Sequence, residues 1–239
     1  MRKFLLAVAL CMLLVPAAFA QKKVAVITFF INRQINVTEF GSAAYLASTK
    51  LKDDPNFNLA PMLKKFHQQF FDNYSKNFPF QLLPEEQVIG SDVYKNYALI
   101  GGEGSGVLKD TNFLTAFDGY KIVYPFMGHA NEKQLAKLID CDGVMVVYID
   151  FKLVKIGFGG MGVVKVVAKA NIALYNKAGN EVFNIEEEAK SKNQSPLIAG
   201  VPVMSVEKIM PMCESAFTQL MEELPGDLPK MTKKADAKL

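Results

Sequence analysis

The chain has 239 residues, half of them apolar, and a net charge of +3. That much apolar material can fill a substantial core, which excludes a disordered chain. Removing Arg2 and Lys3 with the N-terminal segment described next takes two charges and leaves +1, so the charge balance gives no global argument for nucleic acid.

Residues 1–20 read Met1-Arg2-Lys3, an apolar run from Phe4 to Val15, then Pro16-Ala17-Ala18-Phe19-Ala20. A basic start, about a dozen apolar residues and a small-x-small end are the parts of a secretory signal peptide, with cleavage expected after Ala20. The run is shorter than the roughly 20 residues a spanning helix needs. Cys11 sits inside it behind Leu10, the wrong setting for a lipid-bearing cysteine. The expected product is an exported, soluble chain, periplasmic or extracellular, starting at Gln21. No later segment is long and apolar enough to span a bilayer.

Lys23 to Ile31 is a continuous β-rich apolar run, the pattern of a strand buried on both faces. Asn58 to Asn77 predicts a helix, with Leu59, Met62, Leu63, Phe66, Phe70 and Tyr74 on one face. Phe80 to Leu83 is a short strand, and Pro84-Glu85-Glu86 opens a helix running toward Tyr97. Residues 98–130 are rich in glycine and aromatics and predict a long loop. A short helix over Glu132 to Asp140 precedes an apolar strand over Gly143 to Lys155. Val163 to Tyr175 alternates as a half-buried strand, and Glu181 to Lys190 returns beside it as a hairpin. A last helix spans Ser205 to Leu224, kinked or restarted at Pro211 and ended by Pro225-Gly226.

This order gives an α/β layered domain with a mixed sheet, parallel in its first half and an antiparallel meander closed by a helix in its second. One domain is expected over residues 21–228. Residues 229–239 form a basic tail, solvated and frayed, with weak contact to an anionic envelope surface as the alternative.

Several motifs look like chemistry. Gly157-Phe158-Gly159-Gly160-Met161-Gly162 has the spacing of a dinucleotide fingerprint, but a strand follows it where a helix is required, so a hairpin tip is expected. Gly101 to Gly106 has phosphate-loop spacing, but Val107-Leu108 stands where lysine and a hydroxyl are needed. Glu186, Glu187 and Glu188 alternate on a strand and cannot converge on a metal. His67 borders an apolar helix face, and His129 lies in the long loop. Cys141 and Cys213 are read as buried thiols, with a disulfide between them left open. Three sequons occur, at Asn36, Asn73 and Asn193. No catalytic constellation, cofactor site or metal site emerges.

The strand Lys23 to Phe29, the segment Phe80-Gln81-Leu82-Leu83-Pro84-Glu85-Glu86-Gln87-Val88, the run Leu138-Ile139-Asp140-Cys141-Asp142-Gly143-Val144-Met145-Val146-Val147 and the hairpin Tyr175 to Phe183 together resemble a group of exported bacterial domains. The group comprises the curli-secretion channel family, the outer-membrane activators of penicillin-binding proteins and the amino-terminal domain of TolB-like proteins. Many members carry a lipid-bearing cysteine, which this chain lacks, and it lacks the amphipathic hairpins of a curli-type pore. The resemblance implies a soluble, non-enzymatic binding or assembly module of the cell envelope, with a protein partner or its own copies. The aromatics Phe113, Phe117, Tyr120, Tyr124 and Phe126, with His129, are the candidate contact surface. The alternative is a small-ligand binder or enzyme whose site lies in 98–130 and uses Glu103 and His129.

Overall fold

The computed structural model describes residues 21–100, 112–124, 129–157, 162–233 and 235–239. Its centre is a mixed sheet of eight strands: β1 Lys23–Asn32, β2 Gln81–Leu82, β3 Leu114–Ala116, β4 Gly143–Ile156, β5 Val163–Asn176, β6 Glu181–Lys190, β7 Ser195–Ile198 and β8 Val201–Pro202. Around it stand helices α1 Gly41–Asp53, α2 Ala60–Asp72, α3 Glu85–Val88, α4 Asp92–Lys95, α5 Ala130–Ile139 and α6 Val206–Thr232. The spatial order is β2-β1-β4-β5-β7-β8, with β3 also on β1 and β6 also on β5. β1 runs parallel to β2 and β4, and the other pairs are antiparallel. The mixed sheet, the parallel first half and the closing helix are therefore as the residue pattern predicts.

Helices cover both faces. On the first face Phe29 packs against Phe66 and Phe70 of α2, and Cys213, Phe217, Leu220 and Leu224 of α6 complete that core. On the second face Ile27, Val144 and Val146 pack beneath Val88, Tyr94, Leu135 and Ala136 of α3 to α5. The chain crosses from one face to the other because β1 leads to β2 through α1 and α2, whereas β2 leads to β4 through α3 to α5. No helix among the described residues is long and apolar enough to cross a membrane.

Four expectations need correction. The long loop holds a strand: β3 pairs Ala116 with Phe30 and Leu114 with Asn32. The helix from Pro84 is two short helices separated at Gly90-Ser91, where the Ser91 hydroxyl caps α4 by accepting from Tyr94 N. The second face of β5 is buried at Asn171, Ala173 and Tyr175, which makes its outer half a two-sided core strand.

The last correction concerns the C-terminus. α6 does not stop at Pro225-Gly226 but runs to Thr232. Leu228 and Thr232 are buried, and Ala235 and Leu239 pack on the first-face core, Leu239 where a β-carbon on Gly143 would stand. Lys238 donates to Val182 O and its own carbonyl accepts from Asn176 Nδ2. The end of the chain is docked rather than frayed.

The motif glycines also find their place. Ile156 pairs with Val163 at the end of the β4–β5 ladder, with Gly157 directly after one strand and Gly162 directly before the other. A β-carbon on Gly162 would stand 2.7 Å from Ile156 O, so glycine is needed for this close approach. Residues 158–161, like 1–20 and 101–106, lie outside the described residues. Cys141 and Cys213 are free thiols in the two different cores.

Candidate functional site

The described concavity lies at the carboxyl end of β1, where the chain leaves the sheet for α1. The chain is shaped there by two carboxamides that bond their own backbone. Asn32 Oδ1 accepts from Gln34 N at 2.9 Å, and Asn36 Oδ1 accepts from Thr38 N at 3.0 Å. Asn36 is itself held on β4, donating to Phe151 O and accepting from Leu153 N. Ser48 of α1 donates to Ile35 O at 2.6 Å and fixes the helix over this segment. Gly41, at φ 75°, turns the chain into α1.

The result is a cleft of about 580 Å³ between residues 32–38 and the first turns of α1. Among the described residues its lining contains no aspartate, glutamate, lysine, arginine or histidine. Asn32 is committed, since its Nδ2 donates to Asp150 Oδ1. The Gln34 carboxamide, Asn36 Nδ2, the Thr38 and Ser42 hydroxyls and the Tyr45 phenol have no hydrogen-bond partner among the described residues. Such a set donates to and accepts from a neutral ligand but has no group suited to general acid–base work near neutral pH.

Tyr45, which lines the cleft, and Leu46 beside it on α1 are 58% and 62% exposed. α1 also packs beside β8, where Val201 is 37% exposed and neighbouring Ile198 of β7 is 64% exposed.

The aromatics singled out from the sequence are not gathered in one surface. Phe117 lies on the His67 ring at 3.7 Å between centroids. Tyr120 is buried and donates to Glu85 Oε1 at 2.8 Å, with His67 Nε2 on the same oxygen at 2.7 Å. Burial, and then the Glu85 charge, pushes the Tyr120 phenol far up. Tyr124 is on the other face, with ring centroids 5.8 Å from Phe30 and 5.7 Å from Tyr148. Burial, and then the Asp150 charge, takes its phenol up to about 12. Phe113 is half-buried, and its carbonyl accepts from Arg33 N. His129 stacks on Tyr175 at 4.2 Å. Phe126 and Glu103 lie outside the described residues.

The β3–β1 pairing, the Tyr94 hydroxyl, which accepts from Lys121 N at 2.7 Å, and one buried threonine hold the segment inward. Thr28 Oγ1 donates to Lys121 O at 2.6 Å and accepts from Val123 N at 3.2 Å, which stitches the aromatic segment to β1. In the sequence, aromatic richness outweighed the quieter run Asn32 to Ser42, where carboxamides and hydroxyls directly follow a buried strand. That polar cluster at a strand end was the available signal for the cleft.

No family model matches the chain, and no curated protein matches it. Among solved structures, a neuraminyllactose-binding hemagglutinin homolog from Helicobacter pylori aligns over 92% of both chains, with a TM-score of 0.35 and 9% identity. Neither value establishes a shared fold.

Proposed function

We propose that the protein is a non-enzymatic binding module of the bacterial cell envelope, exported with loss of residues 1–20. It receives an uncharged segment of a partner protein in the cleft at the end of β1. The observation that carries this reading is the pairing, in one cleft, of neutral hydrogen-bonding groups (Gln34, Asn36, Thr38, Ser42) with the apolar side chains of Ile35, Val37 and the exposed Tyr45. Main-chain amides of a bound segment match the carboxamides, and its apolar side chains match Tyr45 and its neighbours. The likeness of the strand and hairpin motifs to the curli-secretion, penicillin-binding-protein-activator and TolB groups supports an assembly role and a periplasmic location.

The chain has no tryptophan, so Tyr45→Trp creates a single fluorescent reporter on the cleft. N-acetyl-Ala-Leu-Ala-amide should change its emission saturably, and the same peptide with aspartate or lysine for leucine should bind at least tenfold more weakly. No saturable change with the leucine peptide, or equal binding of the charged ones, would count against the cleft. Export is tested separately: mass spectrometry of the secreted form should give Gln21 as the first residue, and retention of Met1 would count against the location.

A further inference from the structure

The amino end of β1 lies at the far end of the strand from the cleft. There the chain is held from Lys22 onward. Lys22 O accepts from Gln81 N at 2.8 Å, and Lys23 N donates to Asp142 Oδ2 at 2.8 Å. The Lys22 ammonium stands 3.7 Å from the other oxygen of Asp142. Gln21, one residue earlier, is exposed, and neither its main chain nor its carboxamide has a hydrogen-bond partner among the described residues.

On the export reading, on which this inference rests, cleavage after Ala20 makes Gln21 the first residue of the mature chain. A free α-amine and a carboxamide then sit on one residue. α-Amino groups titrate at about 7.7–8.0, so near neutral pH a sizeable share is the uncharged nucleophile. Attack of that nitrogen on the side-chain carbonyl carbon closes a five-membered ring, and two groups on one residue need no encounter in solution. Asparagine would need a strained four-membered ring. Glutamate would present an ionised carboxylate, which resists attack. Glutamine at the first position is therefore the residue type this chemistry requires.

We propose that Gln21 is a modification site, at which the mature chain closes into an N-terminal lactam (pyroglutamate). The bond formed joins the α-nitrogen to Cδ, and the bond broken is Cδ–Nε2. One proton passes from the α-nitrogen to the departing amide nitrogen, which leaves as ammonia. Nothing is oxidised or reduced, and no co-reactant is consumed.

The surroundings of Gln21 leave this step unhindered. Every atom of the new ring belongs to Gln21, so closure keeps the pairing of Lys23 with Gln81 intact. Gln21 precedes the ladder and is exposed, so the ring displaces no packed neighbour. Closure also removes the α-ammonium charge from beside Lys22 and Lys23, where like charges repel. The product is a neutral end with no free amine. Chain termini are where proteolysis concentrates, and an exopeptidase that grips a free amine finds none here.

The test uses the full chain of residues 1–239, recovered from the exported fraction, with its N-terminal peptide fragmented in a mass spectrometer. The expected first residue is Gln21, lighter than its sequence by one ammonia, with the loss located on that residue. Stepwise degradation, which needs a free amine, should be blocked. Gln21→Asn, which cannot close the ring, should keep its full N-terminal mass and degrade normally. An exported chain whose Gln21 carboxamide stays intact through prolonged incubation in mildly alkaline buffer would overturn this inference and leave the export reading standing. Retention of Met1 would overturn both. Equal blockage of Gln21→Asn would also overturn the lactam, because the block would then not come from the glutamine side chain.

Discussion

The phenol of Tyr74 donates to the main-chain oxygen of Met221 at 3.2 Å. Met221 is the residue four before Pro225, so its carbonyl is the one that proline leaves without a helical N–H partner. A side chain from the turn after α2 supplies the missing donor, and this allows α6 to continue past Pro225-Gly226 to Thr232. Burial, which pushes the phenol up to about 12, keeps it in the donating form.

Tyr74→Phe should therefore cost about 1–2 kcal/mol, the price of a buried acceptor left unpaired. Pro225→Ala restores the helical N–H, so in that background the same change should cost less than about 0.5 kcal/mol. Urea unfolding of the four proteins measures the cycle. Equal costs in both backgrounds would show that the phenol does not substitute for the missing amide.

Glu85 gives a pH dependence. Burial by itself raises its carboxyl, but hydrogen bonds from His67 and Tyr120 outweigh burial and hold it below the ordinary range. The unfolded chain then binds that proton more readily than the folded one. The stability it contributes is present above the ordinary glutamate range and lost as pH falls through and below it. Between pH 7 and pH 3 the urea midpoint of the wild type should fall more steeply than that of Glu85→Gln. Parallel curves would mean the two bonds do not favour the charged form.

Phe217 on α6 is 3% exposed and packed in the first-face core. Phe217→Ala should cost roughly 3–5 kcal/mol by loss of burial and creation of a cavity. A measured loss below about 1 kcal/mol, in the range of surface changes, would make the helix peripheral.

The glycine motif should bind no nucleotide. Calorimetry with NAD, ATP and GTP is expected to give no heat, because β5 begins at Val163 and presents no helix start to a phosphate. Gly162→Ala should lower Tm, since its β-carbon would press on Ile156 O. Micromolar nucleotide binding that this substitution abolishes would reverse the assignment.

Elements with strong periodicity were legible: β1, α2, the β4–β5 and β5–β6 hairpins and the stripe of α6 all follow from local pattern. What escaped depends on partners distant in sequence. β3 is only three residues long and exists because β1 offers it an edge. The path of α6 past Pro225 depends on Tyr74, far upstream. The C-terminal residues look like a solvated basic tail, yet Ala235 and Leu239 find apolar ground on the sheet. The cleft is built from Asx turns and a helix start, which have local signatures, but its openness depends on how α1 lies across residues 32–38. Composition alone could not show that the segment 113–124 is held inward by the β3–β1 pairing and by the hydroxyls of Thr28 and Tyr94.

The two free cysteines among the described residues lie on opposite sides of one sheet, Cys141 beneath α5 and Cys213 within α6. The described fold is therefore held without a covalent bridge between them. Burial pushes the Cys141 thiol up to about 11 and the Cys213 thiol higher still, so both are inert while their layer is closed. Each becomes reactive only when the helices above it lift away. A thiol reagent applied to the native protein then acts as two separate clocks, one for each helical layer. Their relative rates would reveal whether the layers open together or one at a time, and whether occupying the cleft beside α1 slows only the clock on its own side.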